Sequence, residues 1–164
     1  MMKRIEIDTI IKLHEVVTLP TLLYKAETWP LNTTDKKEID KIEVWAWKNM
    51  LGLPKTTPTA AIVFTTGSLY ASICVQIKQL IYLHKVLQKQ NRHWTKLSLF
   101  TLREHNIGWA KQIDETMVQW GLDSNWDIIK EKSKNQWNIG ILLFAFQKLT
   151  GSAEPLEPSL TTAL

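Results

Sequence analysis

The stretch from Leu19 to Pro54 is the part of the sequence that most constrains the fold. It consists of an apolar segment, a polar break and a long amphipathic run that Thr34 or Asp35 is predicted to cap. Gly52 is predicted to end that run, because glycine adopts the left-handed conformation of a helix C-cap at little cost. The stretch therefore predicts a turn followed by a capped helix. The apolar residues on its predicted core-facing stripe are Ile39, Ile42, Ala46 and Met50.

Amphipathic segments separated by Gly and Pro stop signals continue along the rest of the chain. Pro20 is predicted to bend or end the first helix, because proline lacks an amide donor. Residues 62–64 are β-prone, but this run is short and is flanked by helix signals. The pattern predicts an all-α fold, with one domain of several amphipathic helices over residues 1–150 and a disordered tail over residues 151–164. The predicted helices cover residues 4–17, 35–51, 59–65, 70–91, 94–104, 109–120 and 126–149.

Composition excludes several classes of protein. The chain has 164 residues, a net charge of +4 and a pI near 9.1, which fits one domain with a modest preference for an anionic partner. Cys74 is the only cysteine, so neither a disulfide nor a thiolate zinc site is expected within one chain. The N-terminus lacks the pattern of a signal peptide, and the longest apolar run, residues 139–146, is too short to span a bilayer. We therefore expect an intracellular protein, nuclear or cytoplasmic, without membrane contact.

Motifs for catalysis and for cofactor binding are absent from the sequence. It contains no Gly-rich phosphate loop, dinucleotide fingerprint, nucleophile elbow or aspartate pair for two magnesium ions. His84 follows Cys74 by ten residues on one predicted helix, which separates the two side chains by almost three turns. His14 and His84 lie within apolar stripes and are predicted to be structural. We therefore expect no catalytic residue, no metal site, no cofactor and no enzymatic activity.

A basic arc on the predicted helix of residues 70–91 is the clearest sign of a binding function. Lysines on one helical face can follow a phosphate backbone, and the nearby Tyr82, His93 and Trp94 could stack on bases. The alternative interpretation is an ordinary solvated outer face of an amphipathic helix. The residues of the predicted nucleic-acid-binding arc are Lys78, Lys85, Lys89, Arg92 and Lys96.

The eight tryptophans are many for a chain of this length. Large aromatic side chains usually belong to a core or an interface. Tyr24 and Trp29 are predicted to pack inward and to anchor their polar atoms. Trp45 and Trp47 lie on different sides of the capped helix, so that helix is expected to pack between two neighbours or against a partner. With His84, these four aromatic residues are the predicted structural or interface residues.

Four blocks of sequence, in order, resemble the region that follows the polymerase palm in non-LTR (LINE-type) retrotransposon reverse transcriptases. The first is LPTLLYKAETW, from Leu19 to Trp29, and the second is IEVWAWKNMLGLP, from Ile42 to Pro54. The third joins TPTAA at Thr57 to Ala61 with GSL at Gly67 to Leu69. The fourth is KQLIYLHKVL, from Lys78 to Leu87. Their order and spacing together carry the resemblance.

This resemblance covers residues 12–149 and implies a thumb with the helical linker beyond it. In the family the thumb holds the template–primer duplex by its backbone, which implies RNA or an RNA–DNA duplex as partner. The fingers, the palm with its catalytic aspartates and the Cys/His knuckle are missing, so the resemblance implies a fragment that does not polymerise DNA by itself. Lys25 stands where the family usually has glycine after the tyrosine. The alternatives are a helical protein-interaction module, with a protein partner or self-association, and a decayed element without a selected role.

Overall fold

The computed structural model describes residues 6–150, with side chains through residue 145. These residues confirm the predicted all-α domain, because they form helices joined by short turns and contain no strand. The predicted tail, residues 151–164, lies outside the described range. The α-helices are α1 (Ile7–Leu13), α2 (Leu19–Leu22), α3 (Thr33–Met50), α4 (Thr59–Thr66), α5 (Ala71–Leu87), α6 (Trp94–Glu104), α7 (Gly108–Trp120), α8 (Trp126–Glu131) and α9 (Lys134–Thr150), with a π-helix at His14–Thr18 and a 3-10 helix at Ala26–Thr28.

The helical backbone at the N-terminus continues past Pro20. Helix α1 passes into the π-helical segment and then into α2, where Pro20 occupies the first turn. A proline in the first turn needs no amide donor, and the wider π turn before it accommodates the proline ring. Of the two predicted effects of Pro20, ending the helix is therefore excluded.

Asn32, rather than Thr34 or Asp35, caps helix α3. Its side-chain oxygen accepts hydrogen bonds from the amides of Thr34 and Asp35 at 2.8 and 2.9 Å, and the Asp35 carboxylate accepts one from the Asn32 amide at 3.0 Å. This reciprocal capping box fixes the start of the helix. The buried face of α3 is also rotated from the predicted stripe, because Ile42 is 50% exposed whereas Glu43 is buried.

Helix α5 is the centre of the core. Leu80 and Leu83 on it are fully buried, and each buried leucine contributes about 2 kcal/mol relative to exposure. The main cluster around α5 draws on α6 to α9, and a smaller cluster joins the N-terminal half of α5 to α3 and to Leu23 and Ala26. The helix ends at Leu87 instead of near Asn91. Two members of the predicted basic arc, Lys89 and Arg92, therefore lie on the loop between α5 and α6.

Four of the eight tryptophans pack in or against the main core cluster and have their indole N–H groups satisfied. A buried indole nitrogen usually needs an acceptor, and each of these indoles has one on another segment of the chain. The excess of tryptophan is therefore explained largely by packing. The donors and acceptors are Trp109 Nε1 to Glu27 O at 2.9 Å, Trp120 Nε1 to Gln76 Oε1 at 3.2 Å, Trp126 Nε1 to Asp114 Oδ1 at 2.8 Å and Trp137 Nε1 to Leu80 O at 2.9 Å.

Candidate nucleic-acid interface

The structure divides the predicted basic arc into groups with different surroundings. Lys85 and Arg92 are exposed, and Lys89 is half-buried on the loop after α5. Lys78 is also half-buried, and its ammonium donates a hydrogen bond to the Leu23 carbonyl at 3.3 Å. The fifth member, Lys96, is buried. A continuous basic helical face is therefore absent, and three of the five cations are left at or near the surface.

Lys96 has a structural position, which corrects the expectation that it extends a phosphate-binding surface. Its ammonium donates hydrogen bonds to the carbonyls of Leu87 and Lys89 and to the Asn91 side-chain oxygen, at 2.9, 3.0 and 2.9 Å. The last carbonyls of a helix have no partner within the helix, and a cation also interacts favourably with the helix C-terminus. Lys96 therefore joins the start of α6 to the end of α5. Burial lowers the pKa of Lys96, and nearby Lys130 lowers it further.

The predicted aromatic and histidine anchors have mixed outcomes. Tyr24 is 70% exposed, so the expectation that it packs inward is wrong. Trp29 is half-buried against the smaller core cluster, and Trp47 is buried. The Nε2 atom of His84 lies 2.9 Å from the Lys132 carbonyl oxygen, and its ring stacks on Trp137, as expected of a structural histidine.

Trp45 is the exception among the tryptophans of α3, because it is 65% exposed and lines a cleft on the outer face of that helix. The cleft has a volume of about 520 Å³ and lies between α3 and the chain around α4. Four lysines line it and can present positive charge around the indole ring. The lining lysines are Lys37, Lys41, Lys48 and Lys55, and the other lining residues are Asp40, Val44, Trp45, Thr59 and Tyr70.

The only carboxylate lining this cleft accepts hydrogen bonds from the first turn of α5. Both oxygens of Asp40 accept hydrogen bonds from Ser72, one from the amide and one from the hydroxyl, each at 2.8 Å. Asp40 thereby satisfies a free amide in the first turn of α5, where negative charge is favourable.

Two of the lysines in the cleft, Lys41 and Lys48, contact other polar groups of the chain. The Lys41 ammonium lies 2.6 Å from a Glu38 carboxylate oxygen, but both side chains are largely exposed. An exposed ion pair is weak, so another anion can readily replace Glu38 as the partner of Lys41. The Lys48 ammonium donates a hydrogen bond to the Lys55 carbonyl at 2.7 Å, which places both lysines at the same end of the cleft. The arrangement can bind an extended anion with several negative groups.

The sequence contains a signal for this cleft that lies outside the predicted basic arc. Lys37, Lys41 and Lys48 are separated by four and seven residues, so they lie on one face of α3, and Trp45 follows Lys41 by one helical turn. The sequence instead led us to interpret Trp45 as part of a second packing surface of this helix. Lys55 comes close only through the turn after α3.

A buried ionisable pair lies on the opposite face of α3. His14 stacks on Trp47 with ring centroids 4.0 Å apart, and its Nε2 atom is 3.9 Å from Glu43 Oε1. The other Glu43 oxygen accepts a hydrogen bond from the Ala71 amide. Burial raises the pKa of Glu43 to about 7, the Ala71 amide opposes this shift, and Asp40 adds to it. Burial lowers the pKa of His14, so below about pH 7 and above the lowered pKa of His14 both groups are mainly neutral.

A second cleft, of about 440 Å³, is aromatic but has no charged lining residue. Trp94, which was expected to stack on bases beside the arc, is 83% exposed at this cleft. Tyr82 packs edge-on against Trp109 with centroids 5.8 Å apart. This cleft offers stacking surfaces without the phosphate-binding groups that the cleft on α3 supplies.

The remaining reactive groups do not assemble into a site within the described range. Burial raises the pKa of Cys74 to about 11, which keeps the thiol protonated and poorly nucleophilic at neutral pH. Within residues 6–150, no group of three or more His, Cys, Asp or Glu side chains is arranged to hold a metal ion. No single helix in that range has both the length and the apolarity to cross a membrane. Helices α4 and α5 have enough length and apolar composition only when they are taken together, and the two are bent by 57° relative to each other.

No protein-family model, curated protein or solved structure matches this chain.

Proposed function

We propose that this chain is a non-catalytic helical domain, similar to the thumb and post-palm region of a non-LTR retrotransposon reverse transcriptase, that binds RNA or an RNA–DNA duplex through the phosphate backbone. The observation that carries the proposal is the cleft on α3, where four lysines surround the exposed Trp45. Lysine ammonium groups bind phosphates as point charges and carry no sequence information, which suits a protein that must accept any sequence.

The backbone at Lys25 supports the resemblance. The family usually has glycine at this position after the tyrosine, and Lys25 adopts φ 58°, the left-handed conformation that glycine favours. A lysine in that conformation costs about 1 kcal/mol, so the local geometry is the one expected if glycine is the usual residue here. The proposal gives the chain no polymerase activity of its own.

Binding of a fluorescent RNA–DNA duplex across a salt series tests the proposal. The variant Lys37→Gln/Lys41→Gln/Lys48→Gln removes three charges from the cleft without adding repulsion. If each lysine contacts one phosphate, the slope of log K against log salt should fall by about 2 to 3. Helicity should be unchanged, because glutamine is as good a helix former as lysine.

The matched control is a variant that removes three charges from the accessible part of the predicted arc, Lys85→Gln/Lys89→Gln/Arg92→Gln. Both variants have the same net charge, so a difference between them reports on position. If only the control variant lost binding, the interface would lie at the end of α5 and the loop after it instead of in the cleft on α3. Absence of any salt-dependent binding by the unaltered protein would refute the proposal.

A protein-interaction module is the second candidate, and the N-terminal helical segment favours it. Leu13, Val16 and Val17 are 52%, 73% and 51% exposed, although they lie on a helix. Exposed apolar residues on one helix are typical of a surface that packs against another protein or a second copy. This candidate predicts self-association in sedimentation experiments, which Val16→Gln should weaken, and duplex binding that depends little on salt.

A further inference from the structure

We infer that the cleft on α3 accepts single-stranded nucleic acid, with one unpaired base stacked on Trp45 and the adjacent phosphates bound by the lysines on either side. This inference rests on the proposed function and deepens it by naming the substrate class. A thumb-like surface that contacts only backbone needs no exposed indole, so Trp45 calls for a separate explanation.

The position of Trp45 along α3 fits a stacking platform between phosphate-binding groups. Lys41 lies about one turn before it and Lys48 about one turn after it, and all three side chains line the same cleft. From Lys37 to Lys48 the helix rises roughly 16 Å, which is enough to follow a few nucleotides of an extended strand. Val44 and Tyr70 complete the wall of the cleft beside the indole.

The chemistry of the cleft favours an unpaired strand over a duplex or a protein. Within a duplex the faces of the bases are covered by their neighbours, so the indole face can stack only on a base that is unpaired or at an end. Stacking is tolerant of sequence because every base has a flat aromatic face. A protein partner would need a strongly acidic surface to satisfy four lysines around one tryptophan.

The test compares three fluorescent probes: a single-stranded RNA oligonucleotide, the same oligonucleotide with abasic sugars at consecutive positions, and a long RNA–DNA duplex whose internal base pairs far outnumber its two ends. Trp45→Ala should weaken binding of the intact single strand by about tenfold, because base–aromatic stacking contributes about 1–3 kcal/mol per base. Trp45→Phe should restore most of that affinity. The same Trp45→Ala change should alter binding of the abasic strand and of the duplex by less than about twofold, because phosphate contacts remain.

Trp94→Ala is the matched control, because Trp94 is also an exposed tryptophan but its cleft has no charged lining residue. It should leave binding of all three probes unchanged. Equal losses for the intact and abasic strands in Trp45→Ala, or a loss in Trp94→Ala alone, would overturn the inference while leaving the proposed function standing. If the unaltered protein binds none of the probes, both proposals are wrong.

Discussion

Replacing Lys96 with methionine is expected to destabilise the fold while leaving any surface charge pattern almost unchanged. Methionine keeps much of the aliphatic side chain but cannot donate the three hydrogen bonds that the ammonium makes to Leu87, Lys89 and Asn91. The side chain is 4% exposed, so water can replace those bonds only in part.

The magnitude follows from the number and kind of bonds lost. A hydrogen bond to a charged group contributes about 1.5–3 kcal/mol, and bonds that share one donor are not additive, so the expected loss is about 3–4 kcal/mol of unfolding free energy. For a domain of this size that corresponds to a melting temperature lower by roughly 10 °C. Urea denaturation with equal slopes for both proteins would give the free-energy difference directly.

Lys85→Met is the matched control, because Lys85 is an exposed lysine of the same predicted arc. Its stability should stay within about 0.5 kcal/mol of the unaltered protein. Two results would refute the structural role of Lys96: equal stability of Lys96→Met and Lys85→Met, or a Lys96→Met protein of normal stability that has lost binding to RNA–DNA duplex.

Two further predictions concern groups whose conformation or charge is set by the fold. Between pH 4.5 and about 7 the folded chain keeps a proton on Glu43 that the unfolded chain has released, so this group should lower stability by roughly 3 kcal/mol as the pH rises through that window. Glu43→Gln should remove this fall in stability, measured as the urea midpoint at each pH. His14, whose pKa is lowered by burial, makes stability rise with pH below pH 6.5 in both proteins. If the urea midpoints of the two proteins changed with pH in the same way, the raised pKa of Glu43 would be contradicted. Lys25→Gly should raise stability by about 0.5–1 kcal/mol, because glycine adopts the left-handed backbone at φ 58° with less strain than lysine. A lower melting temperature for Lys25→Gly in thermal unfolding experiments would contradict this strain.

The helices could largely be predicted from the sequence because their signals are local. The periodic apolar residues of α7 end at Trp120, and Gly121 follows with φ 68°, as expected of a helix C-cap. The same reasoning located the end of α3 at Gly52 within two residues. It left open whether Pro20 bends or ends the first helix, because no local residue signals the π-helical turn through which the chain continues.

The candidate site was only partly visible in the sequence. The spacing of Lys37, Lys41 and Lys48 places these lysines on one side of a helix, but the sequence does not show that this side faces water. Lys96 illustrates the opposite case, because its spacing suggested a surface position and its ammonium is instead covered by the end of α5. The addition of Lys55 to the cleft depends on the turn after α3 and on the placement of α4.

Helix periodicity and capping depend on residues within a few positions of one another, so the amino-acid sequence was enough to predict an all-α fold and where most of its helices begin and end. Which helix faces are covered depends instead on contacts between segments that are distant in sequence. Trp45 and Trp47 are two residues apart and therefore lie roughly 200° apart around α3, so one of them had to face away from the core. Contacts with His14 and with the start of α5, both distant in sequence, bury the Trp47 side and leave Trp45 in the lysine-lined cleft.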